Sequence, residues 1–263
     1  MTADLSPSDY DAFAPFYDEF TAASDYETWT REVLAAAARH GLAGDALLDL
    51  ACGTGKSFLP FLSRGFAVTG CDASPAMLAE AALKAPDVEL VRCDLRELPL
   101  LGSFDLVTCF DDSLNYLLAS GELGACFRGI AANLAPGGLA LFDLNTLRAY
   151  RTTFACDTVT ERDGTVFAWR GESTPGFSPG HAAAAAIDVF AATGDGLYER
   201  TVTRHEQRHF SRAEVERLLG EAGLRCVAAY GALDDGPLVE PADESAHLKV
   251  LYIARHAKGG VGE

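Results

Sequence analysis

The sequence predicts an α/β fold: a mostly parallel sheet covered by helices on both faces, carrying an antiparallel β insertion. Three observations predict it. Short runs rich in apolar and β-branched residues alternate with helix-length segments from about residue 46 to 145, the pattern of strands buried on both faces and joined by crossover helices. A turn of small residues, Ala51-Cys52-Gly53-Thr54-Gly55, directly follows the first of those runs, where a sheet of this kind opens its ligand crevice. From about residue 146 the period changes, and Thr, Val and aromatic residues alternate with polar ones through 157–170 and 198–210, as in antiparallel strands.

Each element has its own signal. Residues 8–22 and 25–40 read as helices, the second alanine-rich and ended by Gly41. Strands follow at 46–52, 66–72, 88–93, 104–110 and 138–144, with helices over about 56–64, 75–84 and 121–134. Ser74-Pro75 offers an N-cap and a proline at the first helical position. The stretch 146–210 reads as an insertion, with Ala182–Ala186 its one low-complexity patch. Ser211 then caps a helix to about residue 222, with Glu214 at capping-box spacing and Gly223 as the stop. Strands at 225–230 and 248–255 close the core, and 258–263 reads as a frayed tail.

Bulk properties narrow the partners. A chain of 263 residues holds one large domain or a core with a sizeable insertion. Its 49% hydrophobic and 22% charged residues are those of a packed protein. A net charge of −17 opposes nucleic-acid binding, which draws on Lys and Arg neutralising phosphates; small or cationic partners fit better. The seven cysteines are scattered singly, which argues for reduced thiols; Cys52, Cys71, Cys93 and Cys109 stand near strand ends as small apolar residues. No apolar run reaches membrane-spanning length and the N-terminus lacks a secretory pattern, so a cytoplasmic protein is expected. His181, His205 and His209 form no compact cluster with carboxylates, and no metal is expected. The run Asp234-Asp235 with Glu240, Asp243 and Glu244 reads as a solvated loop.

The chemistry concentrates at strand ends. Small residues at 51–55 let the main chain pass close to a ligand. The second strand ends in Asp72, whose carboxylate suits both hydroxyls of a ribose. A dinucleotide site would want a third glycine where Phe58 stands. Asp94, ending the third strand, suits an adenine amino group, with Met77 packing on the ring. After the fourth strand, Phe110-Asp111-Asp112-Ser113-Leu114-Asn115-Tyr116 mixes aromatic and polar groups where a transferred group would emerge. Asp49, inside the first strand, reads equally as part of the ligand site or as a structural group bonding turn amides.

These residues resemble class I S-adenosylmethionine-dependent methyltransferases over nearly the whole chain. The first glycine-rich motif of that family often reads Asp-x-Gly-Cys-Gly-Thr-Gly, matched at Asp49, Cys52, Gly53, Thr54 and Gly55 with Ala51 replacing a glycine; Pro136-Gly137-Gly138 before the fifth strand also matches. The resemblance implies a Rossmann-like seven-stranded sheet with the last strand antiparallel. It divides the chain into an N-terminal helical lid at 1–40, a cofactor-binding core at 41–145 and 211–256, and an antiparallel β insertion at 146–210 over the substrate site. It further implies S-adenosylmethionine (SAM) as cofactor and S-adenosyl-L-homocysteine (SAH) as product. Ala51 and Gly53 would border the methionine part, Asp72 and Ala73 the ribose, and Asp94 and Leu95 the adenine, with Thr54, Met77, Phe110 and Asp111 completing the set.

The N-terminal pattern Tyr10-Asp11-x-Phe13-Ala14-x-x-Tyr17-Asp18, then Asp25-Tyr26-x-x-Trp29, is similar to small-molecule N-methyltransferases that modify aminosugars and related antibiotic intermediates. That similarity implies a helix closing over SAM, with Tyr17 and Trp29 at the cofactor. It also implies that Tyr10, Tyr17 and Tyr116 orient an acceptor amine, while Asp111 or Asp112 suits its ammonium. Other readings are an O-methyltransferase of a hydroxylated metabolite, a SAM-binding partner protein without catalysis, and an NAD-dependent oxidoreductase, which Phe58 and Asp94 disfavour. The alternating strands of the insertion are able to pair with a second subunit as readily as within one chain, which would make a homo-oligomer.

Overall fold

The computed structural model describes residues 7–232 and 237–257. In chain order it begins with α1 (Pro7–Phe20), α2 (Tyr26–Arg39), β1 (Ala46–Leu50), α3 (Leu59–Leu62), β2 (Ala67–Asp72), α4 (Pro75–Lys84) and β3 (Glu89–Arg92). There follow β4 (Phe104–Cys109), α5 (Ser120–Asn133), β5 (Leu134–Asn145) and α6 (Leu147–Arg151). The insertion contributes β6 (Asp157–Arg162), β7 (Thr165–Gly171), β8 (Ala182–Ala192) and β9 (Tyr198–Arg208). The chain returns to the core through α7 (Arg212–Glu221), β10 (Leu224–Ala232), β11 (Leu238–Val239) and β12 (Lys249–His256).

Eight strands form one sheet in the order β11-β10-β12-β5-β4-β1-β2-β3, and the other four form a second in the order β6-β7-β8-β9. β1 lies between β2 and β4, parallel to both. Its Leu47, Leu48 and Leu50 are fully buried, which a strand covered on both faces requires. One apolar cluster joins the sheet to α5 and α7 through Phe127, Ile130 and Leu218. The other joins it to α2, α3 and α4 through Val33, Ala36, Phe61 and Ala81. Fully burying a side chain such as Leu or Phe contributes about 1.5–3 kcal/mol, so these two layers hold the sheet rigid beneath the site. β12 runs antiparallel to both β5 and β10, so the expected reversed last strand is present in a Rossmann-like arrangement. Strand order reverses between β1 and β4, and the crevice of such a sheet opens beyond the carboxyl ends at that switch point.

Several expected elements differ in extent. The helix expected over 56–64 is only the single turn α3, because Gly55 (φ 88°) and the bonds Gly55 N to Cys52 O and Phe58 N to Gly55 O hold the preceding residues in turns. A Cβ on Gly55 would lie 2.8 Å from the Phe58 ring. Phe58 thus fills the space where a dinucleotide-binding turn would bring its helix close. The two-residue β11 adds an eighth strand beyond the seven expected. The alternating run at 157–170 is a hairpin, turning at Asp163-Gly164 with φ of 43° and 85°, the left-handed pair that a tight hairpin demands. The alanine patch 182–186 is strand, not linker: β8 pairs with both β7 and β9, and Ala183, Ala184, Ala185 and Ala186 are buried. Ser211 accepts from Glu214 N at 3.3 Å, but the Glu214 carboxylate turns to Arg208 and Ser120 instead of closing a capping box. The tail at 258–263 and the pair Asp234-Asp235 lie outside the described residues. No helix among the described residues is long and apolar enough to cross a membrane.

Candidate active site

The tips of β1 and β2 are tied together. Gly53 N donates to Asp72 at 2.9 Å and Ser74 N at 2.8 Å. Burial pushes the Asp72 carboxyl up against the lowering effect of those amides. Gly53 sits at φ 53° and Ala51 at φ 51°; alanine occupies a left-handed conformation that glycine adopts at lower cost. A Cβ on Gly53 would meet only the Tyr17 ring, at 4.0 Å. Asp49 points away from this crevice. It is buried and accepts from Ser57 Oγ and Thr108 Oγ1, both at 2.6 Å, and burial pushes it up to about 7.

Helix α1 lies across the crevice and is fastened at both ends. Ser74 Oγ caps α4 by accepting from Met77 N at 3.1 Å and donates to Asp11 at 2.5 Å; Asp11 also accepts from Ala76 N at 3.2 Å. At the other end Asp18 accepts from Thr54 Oγ1 at 2.5 Å and pairs with Lys84, while Lys56 Nζ donates to Thr21 O at 3.0 Å. Beneath α1 is a cavity of about 990 Å³, open mouth included. Asp72, Ala73, Met77, Cys93, Asp94 and Leu95 line one end, and Tyr10, Tyr17, Ala51, Gly53, Asp111 and Tyr116 the other. Asp94 also caps the 3-10 turn that follows β3, accepting from Arg96 N at 2.9 Å and from the Arg96 guanidinium at 2.8 Å. Burial works to raise its carboxyl, but the Arg96 hydrogen bonds outweigh it and hold the group below its ordinary value.

Three of the expected cofactor residues do not line this cavity. Thr54 is buried and spends its hydroxyl on Asp18. Trp29 packs edge-on against Phe110, their ring centroids 5.8 Å apart, within the apolar layer. Phe110 is itself buried and borders only a small recess beside Gly53, Tyr26 and Ser57. The remaining residues fit a nucleoside: a carboxylate for sugar hydroxyls, an apolar slot with Met77 and Leu95, and a second carboxylate beside it.

A second chamber of about 920 Å³ adjoins the first and shares Tyr10, Tyr17, Asp111 and Tyr116 with it. Its apolar wall includes Phe13 and Phe20 from α1, Phe154, and Trp169 and Ile187 from the insertion sheet. Its floor is ionic. Lys249 Nζ lies 2.9 Å from Asp143, 3.0 Å from Asp112 and 3.6 Å from Asp111. Burial pushes Asp143 up to about 6, with Lys249 opposing. Asp111 and Asp112 have consecutive left-handed φ of 55° and 52°; Asp111 accepts from Tyr26 Oη at 2.7 Å, and Asp112 accepts from Gln207. Tyr10 donates to Tyr116 at 2.9 Å, Tyr116 Oη meets His205 Nδ1 at 3.1 Å, and His205 Nε2 meets Thr203 Oγ1 at 2.9 Å. Burial holds His205 down at about 4 and the Tyr10 and Tyr116 phenols above their ordinary value. Sequence reasoning missed Lys249, Asp143, Gln207 and the engagement of His205. The one available signal was a lysine opening an otherwise apolar strand at 249.

Fold and cavity together define a class: an α/β protein with a cavity at the switch point of its sheet whose lining fits a nucleoside. Comparison with known proteins gives the family. The model of the Methyltransferase domain family matches residues 47–138. A Geobacillus sp. (strain WCH70) protein named a methyltransferase is 33% identical over 252 residues, 94% of this chain and 99% of that protein. A dTDP-3-amino-3,6-dideoxy-alpha-D-glucopyranose N,N-dimethyltransferase of Streptomyces fradiae is 31% identical over 209 residues, 76% of this chain and 78% of that one. The crystal structure of an S-adenosylmethionine-dependent methyltransferase from Clostridium acetobutylicum ATCC 824 superposes with a TM-score of 0.78 at 25% identity, covering 94% and 99% of the two chains. The chain belongs to the SAM-dependent methyltransferases, and SAM is its cofactor.

Proposed function

We propose that this enzyme methylates an amine nitrogen of a small natural-product or aminosugar-like intermediate held in the second chamber. The observation that carries the reading is the acidic floor, Asp111 and Asp112, at the wall shared with the cofactor cavity. Asp72 and Ala73 would hold the ribose of SAM, Met77, Asp94 and Leu95 its adenine, and Ala51, Gly53 and Tyr17 its methionine part. Bound there, SAM supplies an electrophilic methyl group on a sulfonium and departs as SAH.

The chain's own work is alignment and exclusion of water, the main demands of an in-line displacement. Helix α1, acting as a lid, covers the reacting centre through its ties to Ser74 and Lys84. A neutral His205 protonated on Nε2 accepts from Tyr116, which accepts from Tyr10. The hydroxyl hydrogens then point along the chain toward His205 and the buried Thr203, and the Tyr10 oxygen is left to accept from a substrate N–H. The phenols stay protonated at neutral pH, so they orient rather than remove protons. The floor carboxylates are engaged by Lys249, Tyr26 and Gln207. That supports nitrogen over oxygen: an amine gives its proton to water before closure, whereas a hydroxyl needs a base at hand. Incubation with labelled SAM and matched amine and alcohol acceptors, read by mass spectrometry, tests this. Methyl gain on the amine alone is expected; methyl gain on the alcohol partner contradicts it.

A further inference from the structure

We infer that the acceptor is an amine on an apolar or aromatic body that carries no phosphate, so the second chamber takes free amines and rejects nucleotide-linked ones. This rests on the amine-methylation reading above and narrows it.

The wall supplies the first argument. Phe13, Phe20, Phe154, Trp169 and Ile187 face the chamber, and the Trp169 indole N–H is already spent on Thr153 O at 2.9 Å. Such a wall rewards burial of an apolar body; the chamber's other neutral polar lining residues, Thr21, Ser24, Asn145 and Thr153 among them, bring no positive charge to hold a phosphate.

Charge supplies the second. A diphosphate is held by Arg or Lys side chains or by a helix N-terminus. Among the described residues that line the chamber, Lys249 is the one cationic side chain at neutral pH, and three carboxylates surround its ammonium. Three carboxylates against one ammonium leave a surplus of two negative charges, which attracts the ammonium of an arriving acceptor before it gives up its proton and repels a diphosphate. Arg148, Arg151 and Arg162 are not among the residues that line the chamber, and each donates to a carbonyl: Arg151 Nε to Phe177 O and Arg162 to Glu19 O, both at 2.9 Å, and Arg148 to Ala246 O. In this the chamber differs from what the name of the Streptomyces fradiae relative, a dTDP-sugar enzyme, would suggest.

The test is calorimetric titration of the SAH-saturated protein with 2-phenylethylamine, 2-phenylethanol and dTDP. The amine is expected to bind, the alcohol at least about tenfold more weakly, and dTDP without saturable heat and without displacing the amine. Asp112→Asn keeps the shape and tolerates the left-handed backbone; it is expected to weaken the amine about tenfold and leave SAH affinity within about twofold. Saturable dTDP binding, equal binding of alcohol and amine, or no amine binding overturns the inference. An amine that binds but gains no methyl from SAM overturns the amine-methylation reading instead and leaves the selectivity standing.

Discussion

The two halves of the site are built in different ways. The nucleoside end is made by consecutive strand tips, Ala51 to Gly53, Asp72 and Asp94, whose spacing follows from the βαβ repeat. The acceptor end gathers Tyr10 and Phe20 from α1, Asp111 after β4, Asp143 in β5, Trp169 and Gln207 from the insertion, and Lys249 in β12. A repeat fixes the first half locally; only the completed fold assembles the second. A protein of this fold can therefore keep its first cavity while changing the second, because α1, the insertion sheet and β12, which supply most of the second chamber, lie outside the repeat.

If the halves are as separate as this, variants should affect one without the other. The largest effect is expected from Asp72→Ala. Hydrogen bonds to a charged group contribute about 1.5–3 kcal/mol each, so SAH affinity should fall about 100-fold by calorimetry, and melting should fall as well because Gly53 N and Ser74 N lose their acceptor. A fall below about threefold would remove the nucleoside assignment.

Lys249→Met should act on the other half. It leaves three carboxylates facing one another and should cost about 2 kcal/mol in chemical denaturation at pH 8. Burial already raises Asp143 to about 6, and without the ammonium that opposes this it is protonated at pH 5, so the loss should be smaller there. SAH affinity is expected to stay within about threefold.

The third variant, Asp49→Asn, probes the strand beneath both halves. His205, held down at about 4, binds fewer protons in the folded protein than in the unfolded chain; Asp49 and Asp143, raised by burial to about 7 and about 6, do the opposite from about pH 4 up to those values. The stability these two carboxyls contribute is fully present below their unfolded values and is lost as pH rises through that window. Asparagine keeps partners for Ser57 and Thr108 and removes one of those two titrations. Relative to the parent protein, the slope of stability against pH between 4 and 7 should shift upward by up to about 1.4 kcal/mol per pH unit; an unchanged slope would refute the assignment.

The smallest effect is expected from Ala51→Gly, which relieves a left-handed alanine. That conformation costs about 1–2 kcal/mol, and the added freedom of glycine in the unfolded chain offsets part of it. A net gain of about 0.5 kcal/mol in denaturant melts is expected, with cofactor binding retained.

How much was legible in the sequence follows the same division. The apolar runs at β1, β2 and β4 marked a buried parallel sheet, and Asp72 and Asp94 stood out as carboxylates at the end of β2 and just after β3. Trp29 had the right chemistry for a ligand, yet helix α2 turns it onto Phe110. β8 was illegible because five alanines carry no strand signature, and pairing on both sides decides their conformation. The hairpin did have a local mark in Asp163-Gly164, which a search for alternation alone passes over. Lys249 reads as an ordinary surface cation until the fold brings Asp111, Asp112 and Asp143 around it.

A crystal structure of the enzyme with SAH and a methylatable amine tests the central claim most directly. The account predicts the nucleoside against Asp72 and Met77, the amine nitrogen next to Asp111 and Asp112, and the amine's apolar body on Phe154 and Trp169. An amine seated on any other face, with the second chamber occupied by water alone, would contradict it.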